Sequence, residues 1–170
     1  MFILCNLKTY IKNKILDFKT HICYIKIKKR GNNMSWEEIM EAYESNDCES
    51  LGEYAFQHMN ALMRYFDSFM DPRTAARTSL LCAFYFANVD HFIDGDEEDV
   101  IRTALNDHSM NINLIRMNYE QNGLEREVLT SMRNAPYRVR EEFARLGCAI
   151  CAAKGFIRDE EKERILRWVR

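Results

Sequence analysis

The chain has 170 residues with only two Pro and six Gly, long enough to bury one core and poor in the turn signals that many short strands need. Its formal charge of −2 hides two unlike parts: residues 1–33 hold eight Lys/Arg and one Asp, net +7, which leaves residues 34–170 with 16 basic and 25 acidic side chains, net −9. Such an acidic body argues against a phosphate-neutralising nucleic-acid surface, no run reaches the roughly 18 apolar residues of a membrane span, and six Cys without scaffold spacing point to a reducing cytoplasm.

Residues 1–33 are rich in Ile, Lys, Asn, Phe and Tyr, the residues that A/T-rich codons produce. Lys28-Lys29-Arg30-Gly31 back-translates to a purine-rich run shortly before the codon of Met34, like a ribosome-binding site read through by mistake. The leading reading is a mis-called start, with the natural protein beginning at Met34 and residues 1–33 dispensable for stability. A basic disordered extension and a strand, from the alternation of Cys23, Ile25 and Ile27 with Lys26 and Lys28, are the alternatives.

From Ser35 the pattern is helical. Ser35-x-x-Glu38 reads as a capping box, followed by an apolar face of Trp36, Ile39, Met40 and Tyr43. A second helix is predicted over about 49–70, with Leu51, Tyr54, Ala55, Met59, Leu62, Met63, Phe66 and Met70 at spacings of three and four. Asp71-Pro72 restarts the chain as N-cap and first helical residue. The third helix, about 72–89, is apolar almost all round at 80–87, which predicts the buried centre of a bundle. Asp94 caps a fourth helix over about 95–106. A weaker one follows over 109–122 (Met110, Ile112, Leu114, Ile115, Met117), stopped by Asn122-Gly123. A short helix covers 124–132, Pro136 opens a long helix to about 153, and the last runs over 159–170. The expected fold class is all-α: one domain over 34–170, a compact bundle of about seven helices.

The stretch Asp90-His91-Phe92-Ile93-Asp94-Gly95-Asp96-Glu97 is matched 64 residues later by Lys154-Gly155-Phe156-Ile157-Arg158-Asp159-Glu160-Glu161. A repeated turn between an apolar and an amphipathic helix predicts two similar helix-turn-helix units. Two identical Phe-Ile pairs at equivalent turns predict that Phe92-Ile93 and Phe156-Ile157 are buried together at the centre of the domain. Read as an EF-hand from Asp90, the first turn puts Phe92 and Ile101 where oxygen ligands are required, so that reading fails. Asp94, Asp96, Glu97 and Glu98 are explained as first-turn acids favoured by the helix dipole, whereas Asp90, closing the preceding helix, meets the unfavourable end of its dipole.

This pattern, an apolar helix, Asp-Gly-x-Ile/Val-x-x-x-Glu and an amphipathic helix, twice within about 100 residues, resembles the tellurite-resistance TerB-like family over roughly residues 74–170. The resemblance implies an all-helical fold of two pseudo-symmetric halves and an acidic cluster for a divalent cation, calcium or magnesium. Its acids correspond here to Asp90, Glu97 and Glu161. Two departures stand out: His91 takes the place of the motif Gly, and Lys154 that of the motif Asp. An ammonium has no lone pair for a metal, so Lys154 is expected to replace the cation by pairing with Asp90, Glu97 or Glu161.

Cys148-x-x-Cys151 aligns with the apolar positions Phe84 and Ala87 and reads as small core residues rather than a redox or zinc pair. The four His show no ligand spacing. There is no Gly-rich phosphate loop, no nucleophile with its base and no Glu-x-x-His pair for a di-metal bundle site. The expectation is a non-enzymatic cytoplasmic accessory or stress-response protein acting through a protein partner. The alternative is an acidic helical inhibitor or regulator that covers a partner's basic surface.

Overall fold

The computed structural model describes residues 34–89 and 91–170. The start-site, basic-tail and strand readings of residues 1–33, and both roles of Asp90, lie outside the described residues. Among the described residues there are eight α-helices and one 3₁₀ turn, with no strand. They are α1 (Trp36–Glu44), α2 (Cys48–Asp67), α3 (Pro72–Ala87), α4 (Gly95–Leu105), α5 (Ile112–Gln121), α6 (Glu125–Met132), α7 (Tyr137–Cys151), a 3₁₀ turn (Ala152–Lys154) and α8 (Asp159–Leu166). The all-α class holds, with eight helices where about seven are expected, and the short helix expected over 124–132 is present as α6. None of these helices is long and apolar enough to cross a membrane.

Local chemistry sets the boundaries. The Asp71 carboxylate accepts from the N–H groups of Arg73 and Thr74, with Pro72 at the first helical position. Asp47 caps α2 through the Ser50 N–H, and Asn111 caps α5 through that of Leu114. α7 ends at Cys151, where a tighter 3₁₀ turn takes over, and α8 ends at Leu166 rather than at the chain terminus.

The centre of the bundle is α3, in which every residue from Leu81 to Ala87 is buried. α2 packs most extensively on α4 and α7, and α3 lies against α2, α7 and α6. Tyr85, Phe86, Phe143 and Trp168 form one aromatic cluster, with Phe86 and Phe143 ring centroids 4.6 Å apart. α7 approaches α3 this closely because position 147 is glycine: a Cβ there would sit 2.6 Å from the Phe86 ring. Cys148 and Cys151 are fully buried, as core positions should be. Burial pushes the Cys148 thiol up to about 12, which leaves it no thiolate for redox chemistry.

Two packing expectations are corrected. Ile93 and Ile157 are buried, but Phe92 is 65 % exposed and Phe156 51 % exposed. Adjacent side chains in a short non-helical link point to opposite sides, so only one member of each Phe-Ile pair reaches the core. Phe156→Ala is therefore expected to cost less than about 1 kcal/mol, whereas Ile157→Ala should cost about 2–4 kcal/mol. Denaturant unfolding of the two variants checks this ordering, and a larger loss at Phe156 would contradict it. On α5, Leu114 and Met117 face solvent, and burial rests on Ile112 and Tyr119.

Candidate functional site

The two repeated turns each hold one residue in the left-handed region. His91 adopts φ 61° and Gly155, its partner at the same interval, φ 86°. This left-handed region suits glycine and costs an L-residue such as His about 1 kcal/mol. Each turn then delivers a glutamate to the third position of the next helix, Glu97 in α4 and Glu161 in α8. In the first turn the Asp94 carboxylate accepts from the Glu97 N–H at 2.9 Å, and Glu97 Oε2 accepts from the Asp94 N–H at 3.2 Å, a full capping box. In the second, Glu161 Oε2 accepts from the Arg158 N–H at 2.8 Å.

Capping occupies one oxygen of each glutamate and leaves the other turned to a shared place. That place is filled by Lys154, delivered by the 3₁₀ turn after α7. Its Nζ lies 3.1 Å from Glu97 Oε1, 3.4 Å from Glu161 Oε1 and 3.6 Å from Asp94 Oδ2. Glu97 and Glu161 are each only 2 % exposed. Of the candidate ligands Asp90, Glu97 and Glu161, the two described ones are thus brought together, and both are held by Lys154. Asp94, read from the sequence only as a cap, joins the cluster.

Lys154 thus faces three carboxylates, with the Arg158 guanidinium near enough to act on it as well. Burial, partly offset by the attraction of Lys154, pushes the Glu97 carboxyl up to about 7. Burial works against the Lys154 ammonium, but Glu97 and Glu161 outweigh it and hold Lys154 above the usual lysine range. As arranged, these residues do not fit a divalent cation, since the oxygens it would need already serve backbone N–H groups and the ammonium. Among the described residues no group of three or more His, Cys, Asp and Glu side chains is placed to hold a metal ion.

A second polar assembly joins α1, α2 and α7. Tyr43, 1 % exposed, meets His58 Nε2 at 2.8 Å through its hydroxyl, and His58 Nδ1 meets Glu142 Oε2 at 2.7 Å. A neutral ring carrying its proton on Nδ1 satisfies both contacts, Nδ1–H donating to the carboxylate and Nε2 accepting from the Tyr43 hydroxyl. The sequence did carry a signal for His58: it stands four residues after Tyr54 and four before Leu62, on the apolar stripe of α2. Its partners, 15 and 84 residues away, could not be read from spacing.

A further polar feature is a cavity of about 430 Å³ beside α5, lined by Asn88, His91, Arg116, Tyr119, Glu120 and Glu125, among others. Asn88 Oδ1 and the Tyr119 hydroxyl are buried without a hydrogen-bond partner, a condition that costs about 1–3 kcal/mol for each group. No motif pointed to either residue.

Comparison with family models, with curated proteins and with solved structures finds no match for the chain.

Proposed function

We propose that the protein is a non-enzymatic accessory module on the TerB-like plan, a stress-linked component that acts through a protein partner. In this reading the two repeated turns are the pseudo-symmetric halves of that plan, and Lys154 is its built-in cation. The observation that carries the reading is the Lys154 ammonium, 3.1 and 3.4 Å from the third-position glutamates of two helices whose turns recur at a 64-residue interval. In TerB-like terms Asp90, Glu97 and Glu161 are the oxygen ligands. Here a covalently attached charge replaces the exchangeable one, so the domain stays assembled whatever the calcium or magnesium supply.

The measurement that tests this is the melting temperature of the full chain with chelator and with calcium, magnesium or manganese in turn. Wild type should shift by no more than about 1 °C, because a ligand that binds only the folded state raises stability in proportion to RT ln(1 + [L]/Kd). A rise of several degrees would identify a metal-binding protein instead. The acidic-regulator reading is favoured by one observation, the −9 charge of residues 34–170, which includes exposed Glu37, Glu38, Asp96, Asp99 and Glu160. A complex with a basic protein partner that weakens steeply as salt rises would select it.

A further inference from the structure

Helix α5 is weakly embedded in the bundle. Of its residues only Ile112 and Tyr119 are buried, whereas more than half of α3 and of α7 is buried. Its anchor on α3 is the Tyr119 ring, 6.2 Å between centroids from the ring of Phe84. The polar ties lie near the surface. Arg116 Nη1 donates to the His91 carbonyl at 2.9 Å, and Glu120 Oε1 is 3.4 Å from Nδ1 of His91, a side chain 79 % exposed. A long, exposed contact of the second kind holds little.

The cavity of about 430 Å³ follows this seam: Arg116, Tyr119 and Glu120 line it from α5, and Asn88, His91 and Glu125 from the rest of the domain. Open space between two elements forfeits the dispersion contacts that close packing supplies. Each end of α5 also provides a joint. One is Met110-Asn111, past the turn in which Asp107 accepts from the Ser109 N–H at 2.9 Å and where Asn111 begins the cap of α5. The other is Gly123, at φ 59°. Residues at the ends of elements are the ones that absorb the backbone rotation of a hinge.

We propose that α5 is a hinged lid, which swings from the bundle as a unit about these two joints while the other helices stay packed. Opening widens the cavity and uncovers the Phe84 ring. Local openings of this kind lie well below global unfolding in free energy. α3, fully buried from Leu81 to Ala87, does not take part.

The test is native-state hydrogen exchange of the full chain over a series of low urea concentrations. The amides from Ile115 to Gln121 should exchange together, roughly 100-fold less protected than those of α3 and α7. They should depend hardly at all on urea, because opening a lid exposes little surface. A second measurement combines Ile112→Ala with Tyr119→Ala, which removes both buried anchors. There α5 should lose its protection while the amides of α3 and α7 keep theirs and the chain still unfolds cooperatively. The inference is overturned if wild-type α5 exchanges only together with α3 and with the same urea dependence, or if its amides fray singly from one end. It is equally overturned if the double variant unfolds the whole domain or leaves α5 protected.

Discussion

Replacing Lys154 with methionine is expected to lower the stability of the protein at pH 8 by about 3–5 kcal/mol, because removing one partner of a buried pair strands the other. The variant keeps most of the side-chain volume but leaves Glu97 and Glu161, both 2 % exposed, facing each other without the ammonium. The loss should shrink on acidification, as the Glu97 carboxyl takes up a proton and its unpaired charge disappears. Wild type carries a milder version of the same dependence. Its Glu97 carboxyl sits near 7 instead of the ordinary 4.5, so between these values the folded protein binds more protons than the unfolded chain. Stability from this group is fully present below about 4.5 and is lost as pH rises through 7, in total about 3 kcal/mol. Urea unfolding of both proteins at pH 5 and pH 8 measures the two effects together. A penalty below about 1 kcal/mol, equal at both pH values, would mean that the ammonium is solvated rather than shared.

The companion variant Lys154→Asp turns the same place into a set of oxygen donors. It should be the less stable protein without metal, because like charges are gathered in one buried spot. It should also gain binding of calcium, magnesium or manganese that wild type lacks, since hard cations require oxygen ligands. Calorimetric titration of each ion into both proteins decides the point. Unchanged stability with no gain in binding would show that position 154 does not govern the cluster.

His58→Leu should cost about 2–4 kcal/mol, through the loss of two hydrogen bonds, one of them to a carboxylate, in a part of the fold where three helices meet. The bonds in question are those between Nε2 and the Tyr43 hydroxyl and between Nδ1 and Glu142. A double-mutant cycle separates the chain from simple packing. Tyr43→Phe and Glu142→Gln, alone and combined, should show a coupling of about 1 kcal/mol, carried through His58, which both side chains meet. Strict additivity would reduce His58 to a core residue with incidental contacts.

The linear pattern was sufficient for the helices and most of their ends. Apolar spacing of three and four marks α2, Pro136 opens α7, Asp71-Pro72 and Asp94 start α3 and α4, and Asn122-Gly123 stops α5, because capping and helix periodicity act within a few residues. The 64-residue repeat likewise pointed to Glu97, Glu161 and Lys154 as one cluster, since equivalent turns place equivalent residues alike. Which way a side chain faces outside a helix was not legible. Phe and Ile are similarly apolar, and only the packed bundle selects Ile93 and Ile157 for the core while Phe92 and Phe156 stay outside. The Tyr43–His58–Glu142 chain and the unpaired oxygens of Asn88 and Tyr119 belong to the same class. Hydrogen bonds are short and directional, so they depend on where distant segments come to rest, and no local spacing encodes that.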